Sequence, residues 1–353
     1  MKPTSRVLSL DYLRGLAALG IMVYHYQFWL EGIFTSGQFL GRVGVYGVSV
    51  FYVLSGLTLF HVYETSDRMK SFNLRDFIRK RALRIYPLLW LATVSAIVLS
   101  LRIPNWNHVF LNLSGLFGFI KWDTTFATGA WSIGNELVFY SIFPLVIYTS
   151  SKRPILFILL LIASGSLHHY FAFQTLNAHV ELVHQWHSYV NPLNQVFFFM
   201  AGCSIAYFTK NRDLSRPICL AILGLGLGLF ILTPAEGNTI ALVTGINRWI
   251  FTGASILICL GVYKIATQMQ GIAGNFFQLL GESSYSLYLL HPLVFTVWAF
   301  VFKRLEGLGW QLSWMVKFTV PCLISLALSY VVYTYFERYF MRMGRHSSPG
   351  SPS

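Results

Sequence analysis

Three ionisable side chains, Asp11, Arg14 and His25, interrupt the first long apolar stretch of the sequence. Inside a bilayer such groups are expensive, about 2.5–3.5 kcal/mol each at the helix centre on insertion scales, so they are functional candidates by default. Arg14 and His25 stand eleven residues apart. At about 100° per residue that is three turns plus about 20°, so both project from one helical face, separated by about 16.5 Å of rise. Asp11, three residues before Arg14, can pair with it. An imidazole titrates near working pH and can act as a general base or a nucleophile. The plainer roles are membrane anchoring for Arg14 and an interhelical hydrogen bond for His25.

Three further segments carry chemistry. In RKRALRIYPLLW, Arg81 and Arg84 share a helical face near one membrane boundary. Paired guanidinium groups suit bidentate phosphate contacts, and a helix N-terminus there adds backbone N–H donors. Topological anchoring is the competing role. In WSIGNELVFYSIFPL, Ser132, Glu136 and Tyr140 recur every four residues as one polar stripe. Glu136 is the one carboxylate well inside a predicted span and requires a partner. In SSYSLYLLHP, Ser284, Tyr288 and His291 share a face, and Pro292 loosens the helix just after His291.

The elements that must position these residues follow from composition. The chain has 353 residues, 55% hydrophobic and only 11% charged, with a formal charge of +13. Soluble chains are roughly a quarter charged, so this one is read as all-α, a polytopic membrane protein. Ten stretches approach the roughly 20 apolar residues that a crossing helix needs, near 10–30, 44–63, 82–101, 131–150, 154–171, 191–209, 217–233, 247–266, 284–302 and 312–336. Segment 105–130 suits a re-entrant or interfacial piece. With the N-terminus inside, 19 of the 26 Lys and Arg residues fall on the inner side, the expected asymmetry. Ten spans then leave both termini cytoplasmic. The basic excess therefore marks orientation, and no nucleic acid partner is expected.

Residues 1–343 are read as a single transmembrane domain and 344–353 as a short polar disordered tail. Cys203, Cys219, Cys259 and Cys322 show neither a disulfide framework nor metal-ligand spacing. The outer loop 168–190 holds His168, His169, His179, His184 and His187. A zinc site is conceivable there, but a solvated histidine-rich loop is the preferred reading, and no metal is assigned. The glycine-rich second span, GVYGVSVFYVLSGLTLF, is read as close helix packing.

Taken in order along the chain, these blocks resemble the acyltransferase-3 family of integral membrane acyltransferases. LDYLRGLAALGIMVYH carries the family's Arg, ten residues, His signature at Arg14 and His25. Arg81 and Arg84 match its R-x-x-R, and GVSVFYVLSG, WSIGNELVFY and SYSLYLLHP match further blocks. The resemblance implies transfer of an acyl group, usually acetyl, from a cytoplasmic acyl-coenzyme A to a hydroxyl of a cell-envelope saccharide, in a bacterial cytoplasmic (inner) membrane. Acyl-CoA would be a co-substrate, with no tightly bound cofactor. Because the sequence ends soon after its last basic cluster, a stand-alone member is expected, without the hydrolase-like domain that many members carry. It would acylate its acceptor directly or with a separate envelope partner protein.

On this reading Arg14, Arg81 and Arg84 hold the phosphates of coenzyme A, and the pantetheine arm carries the thioester to His25. His25 acts as a general base or as an acyl carrier, alternatives that stay open. Glu136 orients His25 or accepts a sugar hydroxyl. Asp11, Trp131, Ser132, Tyr140, Ser284, Tyr288 and His291 are expected around the substrate or behind the catalytic groups. The rival reading is a transporter or flippase for a polar or lipid-linked sugar, with His25 and Glu136 as a proton relay. It gives no reason to gather paired arginines at one helix.

Overall fold

The computed structural model describes residues 7–65 and 72–344. Lys2, Arg6, Arg68, Lys70 and Arg345, and the tail beyond Gly344, lie outside the described residues. Among the described residues there is no strand, and the helices run as α1 (Leu8–Glu31), α2 (Phe39–Thr65), α3 (Leu74–Ser100), α4 (Trp106–Ser114), α5 (Phe117–Ile120), α6 (Ala130–Lys152), α7 (Pro154–Tyr170), α8 (Trp186–Tyr189), α9 (Pro192–Thr209), α10 (Arg216–Leu232), α11 (Gly245–Ile265), α12 (Gly271–Glu282), α13 (Ser284–Gly307), α14 (Trp314–Val332) and α15 (Arg338–Met343). Wider π-turns follow α7 at Phe171–Thr175 and join α14 to α15 at Tyr333–Glu337.

Each of the ten apolar stretches coincides with one long helix. Among the described residues, seven segments are long and apolar enough to cross a membrane: Phe39–Tyr63, Leu74–Ser100, Ala130–Lys152, Pro154–Thr175, Gly245–Ile265, Ser284–Gly307 and Trp314–Met343. Polar side chains dilute the other candidates, Arg14 and His25 in α1 and Asn194 and Gln195 in α9, while α10 has only 17 residues. Segment 105–130 does not cross. It forms the short helices α4, which lies against α3, and α5, which lies against α6. A Cβ on Gly118 would come within 2.4 Å of the Gly134 carbonyl oxygen, and Asn112 Nδ2 donates to the carbonyls of His108 and Thr124.

Close backbone approach sets the helix pairs around the centre, as the glycines of the second span suggested. A Cβ on Gly56 would meet the Phe199 carbonyl oxygen at 2.1 Å, and one on Gly202 would meet that of Val53 at 2.0 Å, so α2 and α9 touch backbone to backbone. α1 seats on α12 in the same manner, through Gly15 and Gly281. The main apolar core runs through α2, α3, α6, α9, α11 and α13, with a smaller cluster where α1 meets α13.

Two expectations are corrected here. His168 is not part of a solvated loop: it is fully buried at the end of α7, its Nε2 3.0 Å from Thr252 Oγ1. His169, His179, His184 and His187 are exposed, and no metal-binding group occurs among the described residues. Arg42 and Arg248, among the seven basic residues not assigned to the inner side, are buried as well. Arg42 donates to the carbonyls of Phe230, Ile231 and Thr233 at 2.7–2.8 Å, satisfying the open C-terminal end of α10. Arg248 lies over the rings of Tyr46 and Phe198 and donates to Asn194 Oδ1. All four cysteines are free thiols.

Candidate active site

A cavity of about 80 Å³ opens between α1, α2, α3, α6 and α13. Its lining collects Arg14 from α1, Ser55 and Thr58 from α2, Arg81 and Arg84 from α3, Ser132, Glu136 and Tyr140 from α6, and Ser284, Tyr285 and Tyr288 from α13. The helical spacings explain the convergence. Arg81 and Arg84 lie three apart on α3, and Ser132, Glu136 and Tyr140 form one line along α6. Each pair or line turns its whole face inward together.

The arginine end is rich in positive charge. Arg14 Nη1 bonds Asp11 Oδ1 and its Nη2 donates to Thr58 Oγ1, both at 3.3 Å. Arg81 lies over the Tyr140 ring, 5.7 Å from its centroid, with its Nε buried and unpartnered. Arg84 makes no hydrogen bond among the described residues. Its nearest carboxylates act only through their field. Glu136 Oε2 accepts from the Tyr140 hydroxyl at 3.2 Å, and that hydroxyl lies 3.0 Å from Ser55 Oγ. Three guanidinium groups thus face one lining carboxylate, an arrangement complementary to an anion. The arginine pair does not stand at a helix N-terminus, as its sequence position suggested. α3 begins seven residues earlier, at Leu74, where Asn73 caps it by accepting from Asp76 N.

At the opposite end the hydroxyls of Ser132 and Tyr288 meet at 2.9 Å, both within reach of the Gly129 carbonyl. His25 and His291 do not line the cavity. They lie beyond Tyr288, whose ring is 6.3 Å from that of His291, less than one helical turn further along α13. His25 Nδ1 is 2.8 Å from His291 Nε2. Trp29, one turn along α1, stacks on His25 with its plane inclined by only 8°. The Tyr26 hydroxyl donates to the His291 carbonyl at 2.9 Å and lies 2.6 Å from Ser325 Oγ.

The predicted residues are therefore divided between two neighbouring groups. Arg14, Arg81, Arg84, Glu136, Tyr140, Ser132, Ser284 and Tyr288 share the cavity, with Asp11 behind Arg14. His25 and His291 form the second group. Glu136 belongs with the arginines, and the partner of His25 is His291. Trp131 is buried away from both groups and packs on Trp186 and Tyr189.

Sequence reasoning missed Ser55, Thr58, Tyr285 and Glu337. Tyr285 donates to the Ile85 carbonyl at 2.9 Å. Glu337, buried, accepts from Ser286 Oγ at 2.9 Å and contributes to the field at Arg84. It lies one residue past the last predicted span, where the π-turn at Tyr333–Glu337 displaces it from the regular helical period.

Residues 7–334 match the model of the acyltransferase domain of the acyltransferase-3 family. The chain is 26% identical over 325 residues to O-acetyltransferase OatA of Staphylococcus aureus, covering 81% of this chain and 50% of that protein. It is 25% identical over 342 residues to peptidoglycan O-acetyltransferase OatA of Listeria monocytogenes, covering 84% and 51%. With the exopolysaccharide production protein ExoZ of Rhizobium meliloti it shares 30% identity over 322 residues, covering 86% and 91%. The chain thus spans about half the length of the OatA relatives it matches. No solved structure matches it. With its motif residues gathered in two neighbouring groups and the family model covering almost every described residue, this chain belongs to the acyltransferase-3 family of membrane acyltransferases.

Proposed function

We propose that the protein is an integral membrane O-acyltransferase that moves an acyl group, acetyl by preference, from acyl-coenzyme A to a hydroxyl of an envelope or exported polysaccharide. The observation that carries this reading is the cavity itself: Arg14, Arg81 and Arg84 at one end against a single lining carboxylate, and the His25–His291 pair beyond Tyr288 at the other. Phosphates of the donor bind the guanidinium groups, Arg84 foremost because none of the described residues occupies its donors. The thin pantetheine arm runs along the cavity toward Tyr288 and brings the thioester to His25. The acceptor hydroxyl reaches His25 from the other side. Glu136 and Tyr140 keep the arginine cluster apart and oriented. The names of the OatA and ExoZ relatives support acetyl as the acyl group and a polysaccharide as the acceptor. The basic asymmetry supports a donor side facing the cytoplasm of a bacterial inner membrane. A separate envelope protein then receives the product.

Purified protein in detergent or nanodiscs, given acetyl-coenzyme A and a soluble polysaccharide fragment, should release free coenzyme A thiol in step with acceptor acetylation. His25→Ala should lower that rate by about 10²–10⁴-fold, the usual contribution of a positioned acid–base group, while the protein still purifies as a monodisperse species. Movement of the saccharide across a vesicle membrane without an acyl donor, and with no thiol release, would replace this reading with transport.

A further inference from the structure

The hydrogen bonds around His291 determine which nitrogen of His25 carries its proton. His291 Nδ1 lies 2.9 Å from the backbone carbonyl oxygen of Leu287. A carbonyl can only accept, so His291 Nδ1 is the protonated nitrogen and, in the neutral ring, Nε2 is bare. That bare Nε2 is 2.8 Å from His25 Nδ1. One of two facing nitrogens must bring the hydrogen, and only His25 Nδ1 remains to do so. His25 Nε2 is then left with its lone pair free.

The geometry fits such a bond. The two ring planes differ by 18°, and their centroids are 5.1 Å apart, about the N···N distance plus two ring radii. The rings therefore meet end to end and nearly in plane, with the N–H aimed along the partner's lone pair.

Two features hold the arrangement. Pro292 has no amide hydrogen, so the Tyr288 carbonyl loses its regular helical donor, and the His291 ring folds back over this same turn, beside the carbonyls of Leu287 and Tyr288. Trp29 stacks on His25 with the planes 8° apart, its ring 6.4 Å from that of His291. His291 is fully buried and His25 only partly so.

We propose that His291 is a positioning residue: through the chain Leu287 carbonyl, His291, His25 it fixes His25 as the Nδ1–H tautomer and presents Nε2 as the reacting atom. This deepens the acyltransferase reading and rests on it. In the transfer, His25 Nε2 takes the proton of the acceptor hydroxyl as its oxygen bonds to the acyl carbon. The C–S bond breaks, the sulfur leaves with its electron pair, and the Nε2 proton passes to that thiolate. The products are the ester and the free thiol. While His25 is an imidazolium, its Nδ1–H donates to neutral His291, so the charge is met without any carboxylate in contact.

The tautomer can be read without activity. In ¹⁵N-ring-histidine protein, reconstituted and assigned by loss of signal in His25→Asn, His25 should show a protonated Nδ1 and an unprotonated Nε2. A protonated Nε2, or both nitrogens protonated in the resting protein, overturns the proposal. Kinetically, His291→Leu should lower kcat at least tenfold with the acyl-donor KM within twofold. His291→Gln, whose Oε1 can accept from His25 Nδ1, should recover most of the rate and keep the tautomer. Equal losses in Leu and Gln variants of unchanged thermal stability, or an unchanged tautomer in His291→Leu, would reduce His291 to packing. If the expected tautomer is present yet His25→Ala transfers normally, the acyltransferase role of His25 fails while the assignment of the nitrogens stands.

Discussion

Among the described residues, Arg84 differs from its neighbours in having no hydrogen-bonded partner. Arg14 is shared between Asp11 and Thr58, and Arg81 spreads over the Tyr140 ring, whereas the donors of Arg84 face the cavity unused. A charge-assisted hydrogen bond contributes about 1.5–3 kcal/mol, so Arg84→Ala should raise the acyl-donor KM by about 10–100-fold, with a smaller effect on kcat. Arg84→Lys should restore little, because a single ammonium does not reproduce bidentate phosphate contact. An unchanged KM in initial-rate measurements would return the arginine to a structural role. Much of this site was legible at the residue scale because the spacing within one helix tells which side chains share a face: Ser132, Glu136 and Tyr140 do share one. Spacing cannot tell which helix that face meets. Hence Glu136 was expected near His25 and lies among arginines, while Ser55 was read with its span as packing and Thr58, an ordinary residue in an apolar stretch, went unnoticed.

At the scale of elements, the glycine contacts decide how closely the helices can stand. Gly202→Val would drive a branched side chain into the Val53 carbonyl, where even a Cβ would sit at 2.0 Å. α2 and α9 must then separate, at a cost of at least about 2 kcal/mol on the scale of overpacked cores. Gly228→Ala in α10 is the matched control, since nothing lies within 4 Å of its Cβ position. It should be neutral or stabilise by up to about 1 kcal/mol through helix propensity. Thermal unfolding in detergent separates the two, and equal midpoints would refute the backbone contact. The ten long helices were readable because an apolar stretch of sufficient length has few alternatives in lipid. The start of α3 was not, because Arg75, Arg79 and Lys80 resemble a loop while forming its first turns. The π-turn that carries Glu337 was hidden for a related reason: a period of 3.6 cannot reveal a turn that departs from it.

For the whole molecule, the cavity draws on helices from both ends of the chain, and His25 meets a partner 266 positions later. Synthesis at about 5–20 residues per second makes that interval roughly 13–53 s. During it the first helix is already made, and its guanidinium has neither Thr58 in place nor a cavity to face. Asp11, three residues away and bonded to Arg14 at 3.3 Å, is the one counter-charge that arrives with it. The pair therefore belongs to biogenesis as much as to the finished site: it keeps α1 tolerable to the membrane until the helices that follow close around it. Asp11→Asn should accordingly lower the yield of membrane-inserted protein several-fold in a pulse-labelling experiment. The fraction that does mature should turn over at close to the normal rate. A normal yield with impaired turnover would place Asp11 in the chemistry instead.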